Sequence, residues 1–138
     1  VVGVSRPPLD AGEKVRGTAV YLPDMEVPGM THARVLRSPF AHAKIRHIDT
    51  TRAVALPGVH SILTGADVTG RRSGRRIKDT PILAEDVVRF IGEPVAVVAA
   101  VDEETADRAL ALIDVDYEPI PAIFDPMEAM RPELIRRW

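Results

Sequence analysis

The stretch that decides the fold runs from Val95 to Ile120 and reads VAVVAAVDEETADRALALIDVDYEPI. Its first seven residues are all apolar, which is typical of a central strand buried on both faces. Asp102 comes next, where its carboxylate can accept a backbone N–H and cap a helix. Apolar residues of that helix share one face, with the spacing i, i+3, i+4 and i+7: Ala106, Ala109, Leu110 and Ile113. A strand over Val115–Ile120 completes a strand–helix–strand unit.

The same order of elements occurs earlier in the chain, between Asp49 and Thr64. Asp49 or Thr50 offers a cap oxygen to a short helix, Pro57-Gly58 ends that helix, and Val59–Thr64 resumes an extended segment. Other strands are predicted at Gly17–Leu22, Ala33–Arg37, Ala43–Arg46 and Ile82–Val88. Since such units bury a helix against a sheet with a right-handed crossover, we predict an α+β fold, a two-layer domain with a mixed sheet and two main helices.

The length, 138 residues and 15.1 kDa, is that of one ordinary domain. Residues 1–16 are polar and aperiodic and are predicted to form an N-terminal arm. The domain is predicted to span 17–130, with a last short helix over Pro126–Met130, and 131–138 is predicted to be a C-terminal tail. The polar segment 65–80 is predicted to be a surface loop.

Composition excludes several classes of function. The net charge of −2 disfavours a nucleic-acid-binding domain, which normally carries a basic excess. The absence of cysteine excludes a disulfide scaffold, cysteine-ligated zinc and a cysteine-ligated iron–sulfur cluster within this chain. The longest apolar run, Pro94–Val101, is too short for a membrane span, and no signal segment opens the chain. We therefore predict no membrane association and a cytoplasmic location.

A glycine-rich stretch and a basic cluster are the first candidate sites. Gly65–Arg72 mimics a phosphate-binding loop, but Arg71 and Arg72 replace the lysine and hydroxyl residue, and no amphipathic helix follows. We interpret it as a surface loop. The basic side chains of this loop form the one basic cluster in the sequence: Arg71, Arg72, Arg75, Arg76 and Lys78. The cluster is either a solvated loop or a grip for an anionic partner.

Further candidates are histidines and carboxylates. The possible metal ligands have no helical His-x-x-x-His spacing: His32, His42, His47 and His60, with Asp24 or Glu26. Asp114, Asp116 and Glu118 alternate along one strand and are predicted to form a solvated sheet face. Ser38 lacks the Gly-x-Ser-x-Gly context of an exposed nucleophile. The residues therefore indicate no self-contained active site.

Several blocks of the sequence resemble one family in the order expected for it. They are Lys14–Tyr21 (KVRGTAVY), Pro28–Ile45 (PGMTHARVLRSPFAHAKI), Asp49 with Leu56–Val59 (LPGV), Leu63–Val68 (LTGADV), Val88–Ala100 (VRFIGEPVAVVAA), and Ala106–Ala109 with Leu112–Ala122 (LIDVDYEPIPA). Together they resemble the α/β hammerhead domain at the start of the large subunit in the aldehyde oxidase and xanthine dehydrogenase family of molybdenum hydroxylases. The resemblance covers Val2 to Met130.

The resemblance implies an oxidoreductase with a molybdenum–pterin cofactor in the large subunit and with iron–sulfur and often flavin domains or subunits. In the family's large subunit, the residues that contact the pterin and the catalytic glutamate belong to the part that follows the hammerhead domain. No catalytic, cofactor-binding or metal-binding residue is therefore carried over to this chain, and no cofactor is expected on this chain alone. In Gly92-Glu93-Pro94 we interpret Glu93 as part of a structural turn.

Three hypotheses follow. The first is a structural domain, a fragment or separately encoded piece, which packs against the cofactor-bearing part of such a subunit and does not catalyse alone. The chain opens on Val1 and stops at Trp138, whereas the family's large subunits continue for several hundred residues, so partner contacts or self-association are expected of an isolated domain. The alternative is a stand-alone binding or assembly module. A third is an anion-binding protein built around Arg71 and Arg72.

Overall fold

The protein is described by a computed structural model that covers residues 2–6 and 8–132. The chain forms two compact units, residues 1–30 and 31–138. The elements of the two units are, in chain order, α1 (Ala11–Arg16), β1 (His32–Arg37), β2 (Ala43–Asp49), α2 (Thr51–Val54), β3 (Val59–Thr64), β4 (Arg72–Ser73), β5 (Thr80–Pro81), β6 (Val87–Val88), β7 (Pro94–Ala100), α3 (Glu103–Leu110), β8 (Asp114–Pro119) and α4 (Pro126–Ala129). Positions 133–138 of the predicted tail lie outside the described residues.

The first unit has no buried residue among its described positions. It contains α1, which lies inside the segment 1–16 that the sequence predicts as an arm. The predicted strand Gly17–Leu22 is wrong. Gly17 ends α1 with φ +70°, and a 3-10 turn begins at Leu22, where the Asp24 carboxylate accepts the Tyr21 N–H at 3.0 Å. A turn replaces the strand because these local bonds satisfy the backbone groups that a strand would pair.

The second unit is built on two three-stranded sheets and a two-stranded ribbon. One sheet has the order β1-β7-β3 and the other has the order β6-β2-β8, while β4 pairs with β5. The α+β class is confirmed. The single mixed sheet is wrong, since every strand pair among the described residues is antiparallel.

The shortness of the helices explains why the strands pair antiparallel in separate sheets. Each predicted strand–helix–strand unit connects one sheet to the other, as β2 to β3 through α2 and β7 to β8 through α3. A return to a parallel neighbour would require a crossover of about a dozen residues or more. The eight residues of α3 span about 12 Å, whereas the seven residues of β7 span about 23 Å. The helices are too short to carry the chain back along a strand, so it changes sheet instead.

The strand β7 contributes side chains to both hydrophobic clusters of the core. Val98 and Ala100 pack with alanines of α2 and α3, and small side chains there allow the helices to lie close to the sheet. On the opposite face Val95 packs in a second cluster with Ala43, Ala84 and Val88. The prediction of a central strand buried on both faces is confirmed.

Local hydrogen bonds place the helix ends. Asp102 accepts the Thr105 N–H at 2.7 Å and caps α3, as predicted, and this bond holds the pKa of Asp102 below its usual value. Of the two candidate caps of α2, Asp49 is the one whose side chain forms the bond, because its carboxylate accepts the Thr51 N–H at 2.9 Å. The last predicted helix is also present, since α4 begins at Pro126.

The segment from 65 to 88 is less regular than a strand and more ordered than a free loop. A 3-10 turn occupies Gly65–Val68, and the short ribbon of β4 and β5 follows. The predicted strand Ile82–Val88 shortens to Val87–Val88. Upstream of β6 the chain crosses between the two sheets, and Ala84 donates one bond to the Pro94 carbonyl at 2.8 Å. Single bonds of this kind fix the segment without forming a ladder.

Candidate interaction surface

The Gly92-Glu93-Pro94 turn lies at the entry to β7, and Glu93 in it is 4% exposed. One carboxylate oxygen of Glu93 accepts the backbone N–H of Arg89, and the other lies 3.7 Å from Arg89 Nη1. The main chain of the turn bonds Ser38 in both directions, since Ser38 N–H donates to the Glu93 carbonyl at 2.9 Å and Gly92 N–H donates to the Ser38 carbonyl at 2.8 Å. Glu93 therefore fixes the turn, which supports the structural interpretation over a catalytic base.

We call residues 89–92 the ridge. Its two large apolar side chains point into solvent, with Phe90 51% and Ile91 68% exposed. A groove of about 260 Å³ runs along one side, where Ala122–Phe124 form the opposite wall. A second groove of about 330 Å³ shares Arg89 and Phe90 with the first. The ridge is thus an apolar projection that borders two grooves.

The basic loop has a different character. Arg72 donates to both carboxylate oxygens of Glu85, at 2.5 and 3.1 Å, and Gly70 N–H donates to the same carboxylate at 2.9 Å. These bonds lower the pKa of Glu85 to about 2. Arg72 is therefore engaged within the domain, while the remaining basic side chains of the loop are exposed: Arg71, Arg75, Arg76 and Lys78. The phosphate-loop mimic has no long helix behind it, which agrees with the surface-loop interpretation.

The histidines are dispersed among different elements. His42 Nδ1 lies 2.8 Å from the Pro121 carbonyl, His32 Nδ1 lies 3.9 Å from a Glu103 carboxylate oxygen, and His47 pairs with Asp116 across β2 and β8. Within residues 2–6 and 8–132 no group of three or more His, Cys, Asp or Glu is placed to hold a metal ion.

The alternating carboxylates of β8 pair with different residues of β2: Asp114 lies opposite Asp49 and Asp116 lies opposite His47. Lys44 lies opposite Glu118, which also forms an ion pair with Arg46. Asp114 and Asp116 are exposed, so this face is solvated, as the sequence predicts. Ser38 is 2% exposed, and its hydroxyl group donates to the Phe40 carbonyl at 3.0 Å.

Sequence reasoning missed the apolar surface. Phe90 and Phe124 are two of only three phenylalanines, and both lie at solvent on the same groove. The third, Phe40, packs against Tyr117 with ring centroids 5.1 Å apart. Scarce aromatic residues outside any apolar period were the available signal, but the separation of Phe90 and Phe124 along the chain hides their proximity.

The fold and this surface define a small α+β domain with an apolar projection at the entry to β7. The profile of the aldehyde oxidase and xanthine dehydrogenase a/b hammerhead domain matches residues 16–121, and the chain belongs to this family. Among the described residues, no helix has the length and apolar character needed to cross a membrane.

Individual relatives agree with the family. A probable xanthine dehydrogenase polypeptide of Bacillus subtilis strain 168 is 41% identical over 133 residues, which are 96% of this chain and 18% of the relative. A solved carbon monoxide dehydrogenase from Oligotropha carboxidovorans is 38% identical, with a TM-score of 0.89 over 95% of this chain and 17% of the other. Quinoline 2-oxidoreductase from Pseudomonas putida 86 is 39% identical, with a TM-score of 0.85 over 93% and 17%. The chain thus spans less than a fifth of these relatives' length.

Proposed function

We propose that the chain is a structural domain of the large subunit of a molybdopterin-dependent oxidoreductase and frames the cofactor-bearing part without catalysing alone. The observation that carries the proposal is that nearly all of this chain matches 17% of much longer oxidoreductase chains at TM-scores of 0.85 and above. Such agreement over 93 to 95% of the chain supports the interpretation that the chain is one whole domain with the same fold as the matching part of those proteins.

The side chains of the second unit support a framing role. The buried carboxylate of Glu93 accepts the backbone N–H of Arg89, and Arg72 is paired with Glu85. The groove beside the ridge is lined mainly by apolar side chains, which do not fit the polar contacts that a pterin and its phosphate require. We therefore assign the molybdenum–pterin cofactor to the remainder of the large subunit, where it would supply the oxidation–reduction chemistry.

The proposed partners are the rest of the large subunit and the iron–sulfur and flavin subunits or domains of the complex. Relatives of this chain are named as subunits or large chains, such as the gamma subunit of the 6-hydroxypseudooxynicotine dehydrogenase complex. The cytoplasmic location stays a prediction. The exposed ridge would equally suit the alternative, a stand-alone binding or assembly module.

An antibody against this domain separates the two candidates. We expect it to capture from the source cells a native polypeptide several times heavier than 15.1 kDa, with molybdenum and pterin in stoichiometric amounts. A native mass near 15.1 kDa without molybdenum would favour the stand-alone module. Turnover of aldehydes or purines by the purified 138-residue chain alone would contradict the proposal outright.

A further inference from the structure

The ridge is rigid as well as exposed. Arg89 N–H is held by Glu93, and the Arg89 Nη1 donates to the Val87 carbonyl at 3.0 Å. At the other end, Arg37 Nη1 donates to the Gly92 carbonyl at 2.9 Å, in addition to the bond between Gly92 and Ser38. A backbone fixed at both ends presents Phe90 and Ile91 in one arrangement. Docking onto such a projection has a small ordering cost, which favours binding.

The groove beside the ridge also lies next to the end of the region that the family profile matches. The family profile ends at residue 121, and the next three residues, 122–124, form the groove wall. Phe124, 81% exposed, faces the groove from this wall. A polypeptide that continues past residue 138 would be joined to this wall through only the 14 residues 125–138, so its first elements would be present near the groove at high effective concentration. In relatives such as the carbon monoxide dehydrogenase, more than four fifths of the chain lies outside the matched region.

We propose that the ridge and Phe124 form the docking surface for the part of the large subunit that follows this domain in the same polypeptide. The inference rests on the proposed function and adds the surface and the chemistry of its partner. The groove between Phe90 and Phe124 takes an apolar side chain. Its polar side chains are Arg89 and His42, so a carboxylate or carbonyl oxygen of the partner lies at the rim beside Arg89.

Thiol labelling in the full-length native polypeptide tests the proposal. The domain has no cysteine, so an introduced thiol is its single labelling site and is read from its own peptide by mass spectrometry. Ile91→Cys probes the ridge, and Ile77→Cys in the basic loop is the matched control, since the two isoleucines are 68% and 72% exposed in this domain. We expect the Ile91→Cys thiol to react with a maleimide at least tenfold slower in the native polypeptide than in urea. The Ile77→Cys thiol is expected to react within threefold of its rate in urea.

A ridge thiol that reacts within threefold of its urea rate in the native polypeptide would overturn the proposal. If Ile91→Cys prevents folding, Phe124→Cys replaces it with the same expectation, because Phe124 lies on the opposite wall and is more exposed than Ile91. Protection that is lost on dilution would assign the surface to a second copy of the chain. Protection that is lost when the iron–sulfur subunit is removed would assign it to that subunit. Either result would overturn the proposal.

A photo-crosslinker then identifies the occupant. With p-benzoylphenylalanine at position 124, we expect a link to a peptide beyond residue 138 of the same polypeptide, with no added mass on a denaturing gel. A link that adds the mass of a second copy or of another subunit would contradict the inference. The proposed function fails separately, through a native mass near 15.1 kDa, so a heavy molybdenum-containing polypeptide with a freely reactive ridge thiol would refute this inference alone.

Discussion

Two adjacent regions, the ridge and β7, treat apolar side chains in opposite ways. In β7, Val95, Ala96 and Val98 are 0% exposed, and the strand feeds both clusters of the core. Immediately upstream, Phe90 and Ile91 lie at solvent on a backbone that is fixed at both ends. Apolar content alone therefore does not distinguish the side chains of the core from those of the ridge. The hydrogen bonds of Glu93 and Arg37 distinguish them, because these bonds fix the ridge backbone with Phe90 and Ile91 at solvent.

Both core clusters are formed by residues of this chain, and the exposed ridge supports the proposal that the remainder of a larger polypeptide covers it. Burying one large apolar side chain contributes about 1.5–3 kcal/mol, so an exposed rigid pair forgoes a considerable stabilisation in the domain alone. Exposed apolar side chains that form a contiguous patch typically mark interaction sites.

The largest effect is expected of Val98→Asp, which introduces a carboxylate into the core. Val98 is completely buried, so the new carboxylate would be left without partners in an apolar cluster. We expect the free energy of unfolding to fall by about 4 kcal/mol or more in urea denaturation of the 138-residue chain. Val54→Asp is the matched control at a position that is 57% exposed, with an expected cost below about 1 kcal/mol. Similar losses for the two variants would contradict the assignment of the core.

A smaller effect is expected where the irregular segment meets β7. A Cβ added at Gly65 would lie 2.1 Å from the Ala84 carbonyl oxygen, and Ala84 is bonded to Pro94 at the start of β7. Gly65→Ala therefore forces the backbone of this segment to move, with an expected loss of about 1–3 kcal/mol. A Cβ added at Gly70 in the same segment meets no atom within 4 Å, and asparagine tolerates the left-handed region, so Gly70→Asn is expected to cost less. Thermal unfolding of both variants measures the difference, and equal losses would show that the close approach is unimportant.

The link between the two regions is Glu93. Glu93→Ala removes the acceptor of the Arg89 N–H and leaves that donor unpaired, with an expected loss of about 1–3 kcal/mol. Glu93→Gln retains an acceptor and is expected to lose less. Hydrogen exchange at the Arg89 amide is expected to accelerate in Glu93→Ala while exchange in the centre of β7 changes little. Unchanged exchange at Arg89 would contradict the role of Glu93 in fixing the ridge.

The smallest expected effect is on the pH dependence of stability at the basic loop, which lies outside both the ridge and β7. The pKa of Glu85 is lowered from 4.5 to about 2, first by hydrogen bonds from Arg72 and then by the Gly70 N–H. Because the folded-state pKa is the lower one, the stabilisation is complete above pH 4.5 and is lost as the pH falls towards 2. Arg72→Gln is expected to raise the pKa of Glu85 and flatten this acid dependence, whereas Arg75→Gln is expected to preserve it. An NMR titration of Glu85 compares the variants, and equal pKa values would refute the contribution of Arg72.

Sequence reasoning predicted the local elements better than their assembly. Seven apolar residues and the Asp102 cap are local signals, and both β7 and α3 are confirmed. The pairing of strands is a non-local property, and here the shortness of α2 and α3 turned an expected mixed sheet into two antiparallel sheets. The surface was harder still, since Phe90 and Phe124 lie outside any apolar period and far apart in the sequence. The bonds of Glu93 and Ser38 that fix the backbone around Phe90 are not revealed by any period in the sequence either.

Side-chain oxidation footprinting tests the central claim most directly, because it compares the two regions in the unmodified protein. The 138-residue chain and the native polypeptide that contains it are exposed to the same dose of hydroxyl radicals. The account predicts that Phe90 and Phe124 are oxidised several-fold more slowly in the native polypeptide, while Val98 is protected equally in both. Equal oxidation of the two phenylalanines in both samples would contradict the claim that the rest of the subunit covers the ridge. Loss of protection at Val98 in the isolated chain would contradict the claim that the core is complete without it.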